Sequence, residues 1–155
     1  MSDVKFYMQK CTKQGVLIDG TKKDLENDFD NLRYVEAKGI EKIGKAKNIY
    51  TEQYADSETV RTWHPSENNE DVTHEATIVD LKLLFFGENR RESYDAFNKY
   101  ISDGYLMYWD TLRGKKFTFM VVDAIDPSDD NFKGGTPYIT CVWKLQNLKG
   151  CTEKV

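Results

Sequence analysis

The chain has 155 residues, 22 of them basic and 26 acidic for a formal net charge of −4, and it is 39% hydrophobic and 13% aromatic. A chain of about 150 residues buries roughly two-thirds of its unfolded surface, so this composition fits one domain with a true core and excludes disorder throughout. No apolar run approaches the ~20 residues that span a bilayer, and the first ten residues lack the apolar stretch of a signal peptide, so a protein made in the cytoplasm without a membrane partner is expected.

In chain order, Lys5 to Lys10 followed by Val16 to Ile18 reads as a short hairpin or terminal arm. Thr21 to Asn31 is dense in charge and turn formers, which predicts a loop or a short capped helical turn. Leu32 to Ala55, punctuated by Gly39 and Gly44 with weak alternation, predicts twisted, half-exposed strands. Ser57 to Thr73 holds Trp63-His64-Pro65 and the acidic run Glu67 to Asp71, the pattern of a long exposed loop.

The second half is more regular. In Thr77 to Phe86 the odd positions Thr77, Val79, Leu81, Leu83 and Phe85 form an almost wholly apolar face. Gly87 closes that strand, and Asn89 with Glu92 three residues on predicts a capped helix start. A helix to about Ser102 then carries Tyr94, Phe97 and Ile101 on one stripe, with Gly104 ending it. Three strands follow, Tyr105 to Trp109, Phe117 to Ala124 and Tyr138 to Leu145, the first two joined by a turn at Arg113-Gly114.

The expected fold is therefore mainly β (α+β), an antiparallel β-sandwich or barrel with one flanking helix. It forms a single domain over residues 1–155, with an N-terminal arm at 1–20 and a long loop at 57–73. In Phe117 to Val122 neither face is clearly polar, so that sheet should be covered twice, by the helix on one side and by a further element or a second subunit on the other.

Few residues point to chemistry. Cys11, Cys141 and Cys151 have no CxxC spacing and only His64 and His74 beside them, so reduced thiols rather than a disulfide or zinc framework are expected, with Cys141 in the core. Asp126 to Asn131 has the carboxylate density of a calcium loop. Its sixth position is Asn131 and its twelfth Pro137, which excludes an EF-hand and leaves a solvated turn. His74-Glu75 lacks the second histidine of a metalloprotease motif, and no Gly-rich phosphate loop is present. No enzymatic activity, catalytic residue, cofactor or metal is expected. The basic pairs Lys22-Lys23, Arg90-Arg91 and Lys115-Lys116 are too dispersed for specific nucleic-acid binding. The net negative charge lies in residues 1–75, with 11 basic and 15 acidic side chains. Trp63 is a large aromatic in a polar segment, and two readings stay open for it: an anchor in a partner, or a side chain tucked onto its own domain.

Leu81 to Gly87, Tyr94 to Phe97, Gly104 to Arg113, Tyr138 to Trp143 and Asn147 to Gly150 place strand, helix, aromatic strand, turn and closing strand in an order that resembles the tail-tube (major tail) proteins of long-tailed bacteriophages. The resemblance covers residues 77–150, about half of the chain, and rests on element order and aromatic placement. It implies a structural subunit of the virion tail, made in the bacterial cytoplasm. Six copies would close into a ring through strand edges, and rings would stack into a tube whose lumen passes DNA as non-specific cargo, with other phage tail proteins as partners. It also implies that the 57–73 loop reaches a neighbouring subunit. Trp63, His64 and Pro65 on that loop, with Phe117, Phe119 and Val121, are the candidate interface residues. Two alternatives accompany this reading: a related tail-completion or baseplate protein, and a monomeric β-barrel binding a small apolar ligand.

Overall fold

The structure is a computed structural model that describes residues 6–26, 28–29, 31–47, 50–52, 61–63, 73–132 and 135–154, with the backbone alone at 50–52 and 61–63. In chain order the elements are β1 (Phe6–Lys10), β2 (Lys23–Asp24), β3 (Leu32–Lys38), β4 (Tyr50–Glu52), β5 (Arg61–Trp63), β6 (Thr77–Phe86), α1 (Arg90–Ile101), β7 (Leu106–Asp110), β8 (Lys115–Ile125), β9 (Tyr138–Asn147) and β10 (Glu153–Lys154).

The core follows from period-2 patterning. Strand β6 buries Thr77, Val79, Leu81, Leu83 and Phe85, the face its alternation predicts. Directly opposite them in antiparallel β9 stand Asn147, Leu145, Trp143, Cys141 and Ile139, also buried. Such facing pairs are the unit of sheet stability, and burying each large apolar side chain contributes about 1.5–3 kcal/mol. Strand β8 adds Phe117 and Phe119, β7 adds Leu106 and Tyr108, and β1 adds Phe6 and Met8. The resulting antiparallel sheet runs β2-β1-β7-β8-β9-β6-β3, with β10 paired to the start of β8.

This mainly antiparallel architecture with one helix is the expected class, realised as one main sheet that rolls until its edges meet, with β4 and β5 in a second, two-stranded sheet. The Phe6 ring of β1 stacks on Tyr34 of β3 at 3.8 Å between centroids, although those strands lie near opposite ends of the sheet order. The Tyr34 N–H donates to the Glu26 carboxylate at 3.3 Å, and Leu25 N–H to the Phe6 carbonyl at 2.9 Å. Side chains and loop contacts make the closure, since no strand ladder joins β1 or β2 to β3 among the described residues.

Helix α1 lies against the concave, apolar side. Phe97 and Ile101 are fully buried, and Phe97 packs edge-on to Trp143 at 5.0 Å and to Phe29 at 5.1 Å. The Trp143 indole N–H donates to Asn98 Oδ1 at 3.0 Å, which satisfies the one polar atom of a wholly buried ring. Tyr100 donates its hydroxyl to the Thr21 carbonyl at 2.8 Å and so ties the helix to the loop after β1.

Several expectations change in detail. Asn89 holds the N-cap position but its side chain makes no capping bond. The Arg90 guanidinium instead bonds the Gly87 carbonyl and pairs with Asp130 at 2.7 Å, so the helix start is tied by a long side chain. That pairing also means the 126–131 turn is latched to the helix rather than merely solvated. Thr21 to Asn31 contains β2, which pairs with β1. The reading of Val16 to Ile18 as a hairpin agrees with the Cys11–Leu17 bridge. That hairpin supplies cover for the outer face of β7 and β8: Thr118 and Met107 are buried, and a Cβ at Gly15 would lie 3.3 Å from Thr118 Oγ1. The cover over Met107 and Thr118 thus comes from the chain itself, while Val122 farther along β8 is exposed.

Candidate interaction surface

The groups with chemical potential are committed to packing. Burial pushes the Cys141 thiol up, and its Sγ donates to the Ile125 carbonyl at 2.7 Å inside the core, as the alternation of β9 predicts. Burial also raises the Cys11 thiol. Asp110 is wholly buried at the end of β7 and pairs with Arg113 three residues on, across the turn to β8. Arg113 also reaches the Tyr34 hydroxyl at 3.4 Å; that hydroxyl and then Asp110 raise the guanidinium above its ordinary value. Asp110, Arg113 and Tyr34 therefore pin the seam where the rolled sheet closes. No cluster of three or more potential metal ligands is present among the described residues.

A second polar construction lies at the root of the 48–72 excursion. Three segments cross there: Gly44 N–H donates to the Gly150 carbonyl at 2.7 Å, Glu75 N–H to Lys45 at 2.8 Å, and Lys47 N–H to Thr73 at 2.9 Å. A Cβ at Gly44 or Gly150 would fall inside the van der Waals sphere of the Glu75 carbonyl oxygen, so both positions need glycine for the backbones to pass. His74 Nδ1 lies 2.9 Å from the Gly44 carbonyl, and since a carbonyl only accepts, Nδ1 carries the proton. Beside this crossing is a cleft of about 390 Å³ lined by Lys47, Thr73, His74, Leu148, Lys149 and Cys151. Beyond it, β4 and β5 form a separate two-stranded sheet with Tyr50 opposite Trp63 and Glu52 opposite Arg61.

The structure scatters the predicted interface residues. Trp63 closes β5 on that separate hairpin, while His64 and Pro65 lie outside the described residues, as does most of the 57–73 segment apart from Arg61–Trp63. Phe117 and Phe119 are 2% and 0% exposed within their own core, and Val121 is half-buried against it, so these three have little side-chain surface for another subunit. The apolar outer face that suggested an interface belongs to an interior strand: β7 pairs with β8 from Lys115 to Phe119, and β10 and β9 occupy its other side. Past Phe119, β8 outruns β7. That stretch carries a bulge at Val122, and Asp123 accepts the N–H of Ala124, devices that blunt an edge. Strand β3 is bulged likewise at Val35. The exposed valines Val35 and Val122 are the extra residues of these two bulges.

Sequence reasoning missed the seam and the glycine crossing. The Arg113-Gly114 turn was legible, but the pairing of Arg113 with Asp110 was not, and its link to Tyr34 depends on the roll of the sheet. Nothing local marks Gly44 and Gly150 as partners.

No family model matches the chain, and no curated protein sequence does. Among solved structures, the chain is similar to the SPP1 Dit protein, described as a paradigm of hub adsorption apparatus in Gram-positive infecting phages. The TM-score is 0.50 at 15% identity, over 92% of this chain and 50% of that one. The chain thus spans about half the length of that neighbour and shares its fold.

Proposed function

We propose that this protein is a structural, non-enzymatic subunit of a phage tail, self-assembling into rings that stack as a tube for DNA. A hub or baseplate component of the same fold is the near alternative. The observation that carries the reading is the shared fold with a phage hub protein over 92% of the chain, joined to the element order of residues 77–150. The burial of Cys11, Cys141 and Asp110 within packing and seam contacts supports the non-enzymatic part.

The contact between subunits is assigned to the β4–β5 hairpin rather than to β8. A lone two-stranded hairpin is marginal in water and gains stability by packing on another surface. Its root is held firmly by the glycine crossing, which suits an arm that must be aimed at a neighbour. The ligand-binding barrel is less well supported, because Trp143, Phe97, Phe85 and Phe119, all fully buried, occupy the space inside the rolled sheet that an apolar ligand would need.

Negative-stain electron microscopy of the purified chain tests the reading, with closed rings or short tubes expected. In the Trp63→Ala variant rings should be depleted roughly tenfold or more while the circular dichroism spectrum is unchanged. Loss of the fold in Trp63→Ala, or rings undiminished by it, would remove the arm from the interface.

A further inference from the structure

Phe132 is 65% exposed, the most exposed large apolar side chain among the described residues. It sits on the β8–β9 loop, fixed by the bridge of Asn131 to Tyr138 and by the Gly135 N–H donating to its carbonyl at 3.1 Å. Exposed Asp126 and Asp129 precede it on the same loop. Neither has an ion-pair partner among the described residues, whereas Asp130 is taken by Arg90.

A groove of about 380 Å³ lies elsewhere, lined by Ile43, Ile78, Lys42 and Lys45 together with Gly44, Glu75, Ala76 and Thr77. Ile43 and Ile78 are 64% and 43% exposed, and the groove-lining Lys42 and Lys45 are exposed; Lys38 pairs with Glu36 at 3.6 Å and Lys47 lines the neighbouring cleft. Lys42 and Lys45 outnumber Glu75 in the groove, so its excess charge is opposite to that of Asp126 and Asp129 on the knob, around an apolar centre, the anatomy of a protein interface.

They cannot meet within one chain. Ile78 is the second residue of β6, whereas Tyr138, which holds the Phe132 loop, pairs with Phe86 at the other end of that strand. Eight residues of strand separate them, about 27 Å. We infer that the Phe132 loop of one copy docks in the Ile43–Ile78 groove of a second copy, with the acidic loop on the lysines. Such a contact is heterologous and repeats head to tail. It rests on the self-assembly reading for its place in a tail, where it would join successive rings, while the arm joins subunits within a ring.

Sedimentation equilibrium of three forms tests it: wild type, Lys42→Glu/Lys45→Glu, and Asp126→Lys/Asp129→Lys. The substituted side chains are exposed, and circular dichroism should confirm that the fold is kept. Each variant alone should associate head to tail at least ~10-fold more weakly than wild type, because both its ends carry one sign. An equimolar mixture should recover much of the loss, because each presents the end the other lacks. Phe132→Ala should weaken association to a similar degree, and raising salt should weaken the wild type. Variants that associate like the wild type, a mixture that recovers nothing, or a wild type monomeric throughout would each overturn the contact. Single rings that persist in both variants without stacking support it. Stacked rings in both variants would overturn it while leaving the tail reading intact.

Discussion

Strands β6 and β9 and the crossing of residues 43–47, 73–76 and 148–151 hold the chain together by opposite means. In the first, ten facing residue pairs alternate buried and more exposed, and four of the five inward pairs are apolar, so neighbouring residues restate one register. In the second, a few backbone hydrogen bonds and two glycines carry the whole arrangement, with no large side chain at its centre. The sheet is redundant and tolerates moderate change. The crossing is not redundant, and it is the part that positions the arm proposed to reach a neighbour.

The sharpest way to break the redundant region is to empty its centre. Phe97→Ala removes a ring that touches Trp143, Phe85 and Phe29 and should cost about 3–5 kcal/mol of unfolding free energy in a denaturant titration. A midpoint equal to that of wild type would show that α1 does not complete this core.

Gly150→Ala probes the crossing. The new methyl meets the Glu75 carbonyl and sits at a φ of +68°, where a side chain is strained, so a loss of about 1–3 kcal/mol is expected. Hydrogen exchange should quicken first at Gly44, Lys47 and Glu75, whose amide protons make the crossing, with β6 and β9 protected as before. Uniform loss of protection would mean that the two regions are one cooperative unit.

The mildest test uses alkali. Burial raises Tyr100, and burial with the nearby Cys141 raises Tyr94, each up to about 12, above the ordinary tyrosine value of about 10. Both therefore stay neutral in the folded chain after they would ionise in the unfolded one. Their contribution to stability is complete below pH 10 and disappears as pH rises toward 12. Burial raises Tyr108 as well, so absorbance titration at the phenolate band should show three delayed tyrosines, and Tyr100→Phe should remove one. Titration of every tyrosine near pH 10 in the folded protein would contradict the packing of α1.

The same contrast decides what the sequence made legible. Strand β6 appears in the sequence at its observed limits, and the stripe of α1 and the burial of Cys141 were readable, because period and burial are local properties of one segment. The role of each face of β8 was not readable, because an apolar face looks alike whether it is covered by its own core, a distant hairpin or another chain. Here Phe117 and Phe119 face the chain's own core, Gly15 approaches Thr118 on the outer face, and Val122 is 45% exposed. The seam of Phe6, Tyr34, Arg113 and Asp110 joins residues far apart in sequence and exists only once the sheet has rolled. The arm root depends on close backbone approach, which leaves no composition signal beyond an isolated glycine.

Self-assembly is the central claim, and sedimentation velocity of the wild-type chain over a rising concentration series at physiological salt tests it most directly. The account predicts species at closed multiples of the 18.0 kDa chain that grow at the expense of the monomer. A single 18.0 kDa species at every concentration, with the fold intact by circular dichroism, would contradict it.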